Sequence, residues 1–166
     1  INHRGPDAYG EFFKNEIAFT HRRLSIIDLS SNSNQPISDL TTGATIIFNG
    51  EIYNFRSLRE EIIKLEKNNS FLSDGDAEVI LRGYIVWGRD KLLEKLEGMF
   101  AFSIWDPKKK ELFIARDRLG EKPLFYTNDK NKGLIFASEV KALLNNNITN
   151  NEVDYESLDQ YLSLNY

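Results

Sequence analysis

The segment that most restricts the fold runs from Met99 to Trp105. Only Ser103 interrupts its apolar character, and at a period of two Phe100, Phe102 and Ile104 fall on one face while Met99, Ala101 and Trp105 fall on the other. A strand apolar on both faces must be covered on both, so its sheet requires packed material on each side. The stretch is far too short to span a bilayer. Asp106-Pro107-Lys108 then supplies turn chemistry, returning the chain to Leu112 as an antiparallel hairpin.

The same alternation predicts further short strands at Ile17–Thr20, Leu24–Ile27, Ala44–Phe48, Leu112–Ala115, Leu124–Tyr126 and Leu134–Ala137. Two segments carry helical spacing. Phe55, Leu58, Ile62 and Leu65 form one stripe behind Asn54 as N-cap. Ile80, Tyr84 and Trp87 form another, with Asp76 as a possible cap and Gly88 as the stop. Helices and hairpins together predict sheets packed face to face with helices outside. Ser30–Asn34 and Asn145–Asn151 read as loops, and the second is the best boundary. The expected division is a domain over 1–144, then a linker and short helix over 145–166, with Leu158, Tyr161 and Leu162 on one helix face.

Composition narrows the function. The 166 residues suit one compact domain. The net charge of −4 argues against nucleic-acid binding through bulk charge. There is no cysteine, which excludes disulfides, thiolate metal sites and a cysteine nucleophile within these residues. No secretory signal is visible, and the first residue is Ile1 rather than Met, so the expectation is a chain whose true start lies upstream.

Polar islands sit among the strands: His3–Asp7, His21–Ser25, Asn49-Gly50-Glu51, Asp74-Gly75-Asp76, Arg116–Gly120 and Ser138-Glu139. Each has an ordinary structural explanation. Asn49-Gly50 reads as a type I′ hairpin turn, Arg116 and Asp117 as an ion pair at a strand end, Asp76 as a helix cap, and Lys108–Lys110 as a solvated hairpin tip. His3 and His21 are far apart without a nearby second ligand, so no metal site is expected. Taken jointly, the islands have a sharper meaning. Arg23 offers a planar fork for a carboxylate, Asp76 an anion for an ammonium, and Asn49 with the Gly50 N–H two neutral donors of the kind an oxyanion hole needs. Cation, anion and paired donors describe a pocket for an α-amino acid whose side-chain carbonyl is attacked.

A family resemblance follows from ordered blocks. These are His3–Asp7, His21–Ile27, Phe48-Asn49-Gly50-Glu51-Ile52-Tyr53-Asn54, Asp76–Leu81, Gly98–Phe102, Ala115–Tyr126 and Phe136–Leu143. The chain resembles the glutaminase domain of glutamine-hydrolysing asparagine synthetases, within the class II glutamine amidotransferases. Asn49 to Asn54 resembles asparagine synthetases more than the purine or glucosamine amidotransferases. The resemblance implies an α+β fold, a four-layer αββα sandwich of the N-terminal-nucleophile hydrolase type, incomplete at the N-terminus. It further implies that Arg23 holds the glutamine α-carboxylate, that Asn49 and Gly50 form the oxyanion hole, and that Asp76 binds the α-ammonium with Glu51 at the same end. Gly75 departs from a frequent Ser at that place. Arg116 and Asp117 match a framework pair, and Leu24-Ser25-Ile26 a backbone lining of the pocket.

In such enzymes the nucleophile is an amino-terminal cysteine whose own α-amine is the general base, so the present residues alone are expected to be inactive. No Gly-rich or Ser-Gly-Gly phosphate-binding motif follows Ala142. The resemblance therefore places ATP and Mg in a downstream synthetase domain, with no cofactor or metal in this one. The implied partners are glutamine and that C-terminal domain of the same polypeptide, with no nucleic acid and no membrane, in the cytoplasm. Two alternatives stand beside this: the amidotransferase half of a synthetase that amidates a sugar or secondary metabolite, and a non-catalytic glutamine-binding scaffold.

Overall fold

A computed structural model describes residues 1–14, 16–66, 71–130, 133–145 and 152–164. The chain divides into two compact units, Ile1–Pro123 and Leu124–Tyr166. In the first, β1 (Ala8–Lys14) and β2 (Ile17–Arg23) form an antiparallel hairpin registered from Ala8↔Arg23 to Lys14↔Ile17. β3 (Ile37–Ser38) and β4 (Thr45–Ile52) are followed by α1 (Phe55–Leu65), α2 (Asp76–Trp87) and α3 (Arg89–Lys95). β5 (Gly98–Asp106) and β6 (Glu111–Arg116) complete an antiparallel sheet of order β3-β4-β5-β6.

The core lies between one face of this sheet and the helices. Ile46, Phe48 and Ile52 of β4 and Phe100, Phe102 and Ile104 of β5 meet Leu58 and Ile62 of α1, Val79 and Ile80 of α2, and Leu92 of α3. On the opposite face of β5, Ala101 and Ser103 are buried as well. Burial on both faces is what the apolar run required. Asp106 shapes the following turn, accepting the Lys108 and Lys109 N–H groups at 3.0 and 3.1 Å. Gly88 ends α2 with φ 78°, a left-handed conformation that glycine adopts without strain.

Several local expectations are corrected. Leu24–Ile27 is not a strand: β2 stops at Arg23, and Leu24 and Ile26 are 56% and 74% exposed. Asn54 stands at the N-cap of α1, but its side chain makes no cap bond. Instead it donates to the Lys95 carbonyl at 2.8 Å and accepts from the Glu97 N–H at 3.2 Å, tying the α3–β5 connection. Arg116 and Asp117 do not pair with each other. Arg116 donates to the Lys122 and Gly120 carbonyls, while the Asp117 carboxylate collects the N–H groups of Phe100, Glu121 and Lys122. The lysine run is only partly a free tip, because Lys109 folds back onto the Tyr84 hydroxyl at 3.0 Å and the Asp106 carboxylate at 3.4 Å.

The second unit contains the antiparallel pair β7 (Phe125–Asp129) and β8 (Gly133–Ala137), then α4 (Val140–Leu144) and α5 (Tyr155–Leu164). The expected linker over 145–151 lies, beyond Asn145, outside the described residues. Among the described residues no helix is long and apolar enough to cross a membrane.

Candidate functional site

The site is organised by the free edge of β4. β3 pairs only with Thr45 and Ile46, so beyond them this edge has no strand partner among the described residues. Alternate residues of a strand turn their backbone groups to the same edge. Phe48 does so, its N–H donating to Gln35 Oε1 at 2.5 Å and its carbonyl accepting from His21 Nε2 at 3.0 Å. Ile52 does so too, its N–H donating to Asp76 Oδ2 at 3.0 Å. Gly50 lies between them with the same parity, so its N–H points out of the ladder along the same edge.

Asn49 and Gly50 therefore do not form the type I′ turn that local statistics favour. They sit inside β4, opposite Ala101 and Phe100. Pairing with β5 along the whole strand outweighs a two-residue turn preference. The glycine is required for another reason: a Cβ there would overlap the Met99 carbonyl oxygen and come within 2.8 Å of Phe100 Cα. Asn49 Nδ2 is buried and has no hydrogen-bond partner. Such an orphan costs about 1–3 kcal/mol unless an acceptor arrives. An amide donor and a backbone donor from adjacent residues can together receive a developing oxyanion.

Two carboxylates flank these donors. Asp76 is the first residue of α2, behind Gly75 as N-cap, and turns its carboxylate to the Ile52 N–H instead of merely capping its own helix. Burial pushes its pKa up, against the pull of the N–H groups of Ile52, Asp76 and Ala77, and the nearby Glu51 charge adds to the rise. Glu51 shares the Asn49 face of β4 by strand parity. A cation entering here would relieve both carboxylates.

Arg23 is buried at the end of β2. Its Nη1 donates to the Ser30 carbonyl and to Asn34 Oδ1, each at 2.9 Å, and its Nη2 donates to the Asp28 carbonyl. Nε–H and one Nη2 hydrogen make no hydrogen bond among the described residues, leaving part of the fork unused. The Asp28 carboxylate accepts from Ser33 Oγ at 2.6 Å, the Ser30 N–H at 2.8 Å and the Asp74 N–H at 2.8 Å. These donors hold it far below the usual carboxylate range.

The contacts close a circuit. From Arg23 it passes through Asp28 to Asp74, along the chain to Asp76, across to Ile52, back along β4 to Phe48, and through His21 to β2. Arg23, the Asn49-Gly50-Glu51 run and Asp76, three segments apart in sequence, thus belong to one bonded assembly. Sequence reasoning missed its supports Gln35, Asp28 and Ser33 and left His21 without a role; Gln35, Asp28 and His21 act through contacts between distant segments, and Ser33 through the Asp28 carboxylate. The Ser25 N–H is already taken by Asp7 Oδ2 at 2.8 Å, so it is engaged in framework bonding. Among the described residues no group of three or more His, Cys, Asp or Glu could hold a metal.

Comparison with known proteins gives the family of the chain. The family described as the glutamine amidotransferase domain matches residues 1–166. Asparagine synthetase [glutamine-hydrolyzing] 1 of Bacillus subtilis is 45% identical over 168 residues, covering 100% of this chain and 25% of that protein. Amidase chry2 of Gibberella zeae is 39% identical over 146 residues, covering 87% of this chain and 21% of that protein. The chain spans about a quarter of the length of the curated relatives it matches. Among solved structures, glutamine phosphoribosylpyrophosphate amidotransferase of B. subtilis aligns with a TM-score of 0.62 at 23% identity, covering 76% of this chain and 28% of that one. That likeness shows the fold alone, an α+β arrangement of antiparallel sheets and helices shared with that amidotransferase.

Proposed function

The chain belongs to the glutamine amidotransferase domain family, and from that premise we propose that it is the glutamine-hydrolysing domain of an asparagine synthetase. The observation that carries this reading is the pair of donors at Asn49 and Gly50, one of them a buried orphan, beside the Asp76 and Glu51 carboxylates.

In this reading the unused edge of Arg23 takes the glutamine α-carboxylate, and Asp76 with Glu51 takes its α-ammonium. These contacts hold the side-chain amide against β4. The 166 residues contain no cysteine, so the thiol and its α-amine come from residues outside this sequence, and the 166 residues alone are inactive. The thiol sulfur bonds to the amide carbon as the α-amine takes the thiol proton. The carbonyl oxygen becomes an oxyanion received by Asn49 Nδ2 and the Gly50 N–H. The C–N bond then breaks, and the nitrogen leaves as ammonia with the proton that the α-amine returns. Water hydrolyses the remaining thioester to glutamate.

The ammonia is used in a C-terminal domain of the same polypeptide to amidate aspartate with ATP and magnesium. None of the present residues is assigned to those groups. The names of the bacterial relatives support aspartate as acceptor, and a cytoplasmic location belongs to the same reading. A second reading, in which a related synthetase amidates a different acceptor, is favoured only by the presence of relatives named amidase rather than asparagine synthetase. The test is glutamate release and glutamine-dependent asparagine formation by the full-length protein. Glutamine hydrolysis without asparagine formation favours the second reading. Calorimetric binding of glutamine without turnover favours a scaffold and ends both.

A further inference from the structure

Asp28 joins the two charged ends of the assembly. Its carbonyl oxygen receives Arg23 Nη2. Its carboxylate receives the N–H of Asp74, two residues ahead of Asp76, at 2.8 Å. The same carboxylate oxygen receives Ser33 Oγ at 2.6 Å, and the other receives the Ser30 N–H at 2.8 Å, which fixes its orientation within the loop that also grips Arg23 through Ser30 and Asn34. A second strap runs parallel, from Asn32 Nδ2 to the Leu72 carbonyl at 2.9 Å. Gly75 leaves room for this clasp: a Cβ there would come within 2.8 Å of Ser33 Oγ. The side chain of Asp74 plays no part in it, since it turns outward to Arg59.

We infer that Asp28 is a positioning residue that sets the separation of the Arg23 guanidinium from the Asp76 carboxylate, and with it the fit of the substrate's α-carboxylate and α-ammonium. The inference rests on the function proposed above. Asp28 touches neither the amino acid nor the reacting amide; it acts through a cation that it holds by its backbone and an anion whose loop it holds by its side chain. A clasp of this kind governs binding of the two charged groups and leaves the chemistry at Asn49 and Gly50 unchanged.

The test uses the full-length protein and glutamate release. Asp28→Asn keeps the size of the side chain but replaces one acceptor oxygen by a donor that faces other donors. The expected result is a rise in KM for glutamine of about tenfold or more, with kcat changed by less than about twofold and ammonia-dependent synthesis unaltered. Gly75→Ala, which displaces Ser33 from the clasp, raises KM in the same direction. The double variant rises less than the product of the two single effects, because both act on one linkage. A KM within about twofold of the parent protein, or a fall in kcat at constant KM, overturns the inference. Should Asp28→Asn fail to fold, Gly75→Ala and Asn32→Ala decide by the same criteria. If the parent protein binds glutamine without hydrolysing it, the proposed function fails while the dissociation constants of the same variants still decide on Asp28. If the parent protein does not bind glutamine, both fail.

Discussion

His21 Nε2 lies 3.0 Å from the carbonyl oxygen of Phe48, 27 residues away, and fixes the peptide that leads into Asn49. A carbonyl only accepts, so Nε2 carries the proton and Nδ1 is the bare nitrogen, buried and without a partner. Burial is the main cause that pushes the His21 pKa below its usual 6.5, with the Arg23 charge acting in the same direction.

Replacing His21 by Leu leaves the Phe48 carbonyl without its donor and is expected to cost about 1–3 kcal/mol, with a lower glutaminase kcat. His21→Gln, which can still donate, recovers part of both. The pH dependence has a definite sign. The unfolded chain takes up its proton near pH 6.5 and the folded chain only below that, so stability falls as pH drops below 6.5 and the contribution is fully present above it. Urea midpoints at pH 7.5 and 5.5 read this fall, and His21→Gln flattens it.

In the proposed reading, Asn49→Ala removes one of the two donors that receive the reacting oxygen. Glutamine-dependent kcat is expected to fall by about 10²–10³, with ammonia-dependent synthesis retained. Thermal stability does not fall with it, because the lost amide nitrogen has no partner in the resting protein. A parallel loss of melting temperature and kcat would make Asn49 a structural residue.

Asp76 shows the opposite balance between folding and binding. Its raised pKa means that the buried carboxylate subtracts from stability at neutral pH and binds a proton in the folded state before the unfolded one as pH falls. Asp76→Asn keeps an oxygen for the Ile52 N–H and is expected to melt no lower than the parent. Its KM for glutamine is expected to rise by about 10²-fold, since the ammonium then loses its buried charged partner and keeps only the Glu51 carboxylate. In the parent, KM for glutamine climbs as pH drops toward the Asp76 pKa, above the usual 3.8. Loss of ammonia-dependent synthesis in the same variant would assign Asp76 to the framework.

Tyr84 provides a control remote from the site. Its hydroxyl donates to Asp106 Oδ2 at 3.0 Å and accepts from Lys109 Nζ at 3.0 Å, at the turn end of the β5–β6 hairpin. Tyr84→Phe should cost about 1–2 kcal/mol of stability, measured by denaturant midpoint, while kcat and KM for glutamine stay at the parent values.

The sequence carried the fold where burial was uniform. Met99 to Trp105 is apolar on both faces and lies in an inner strand of the sheet, and the α1 stripe of Leu58 and Ile62 faces the core. It failed where a partner decides the outcome. β1 includes Gly10, Glu11 and Lys14, so its alternation is weak, and it is held by pairing with β2. Leu24, Ile26 and Ile27 are apolar enough for a strand, yet they form a loop because the chain there is engaged in enclosing Arg23. The charged and amide members of the site were legible by type. Their supports were not, since a Gln35 side chain on the Phe48 N–H or an Asp28 carboxylate on the Asp74 N–H has no signature at short range.

The bonded circuit through Arg23, Asp28, Asp74, Asp76, Ile52, Phe48 and His21 has a consequence for how the molecule comes apart. It draws on the β1–β2 hairpin, two loops, the start of α2 and the edge of β4, all within Ile1–Pro123, so it is lost when that unit unfolds as a whole. Competence to bind is then not a property that survives in a loosened core. Backbone amides of Phe48, Ile52 and Asp74 are expected to exchange with solvent deuterium in a single cooperative opening, and the denaturant concentration that abolishes the proposed glutamine binding is expected to coincide with the one that unfolds Ile1–Pro123.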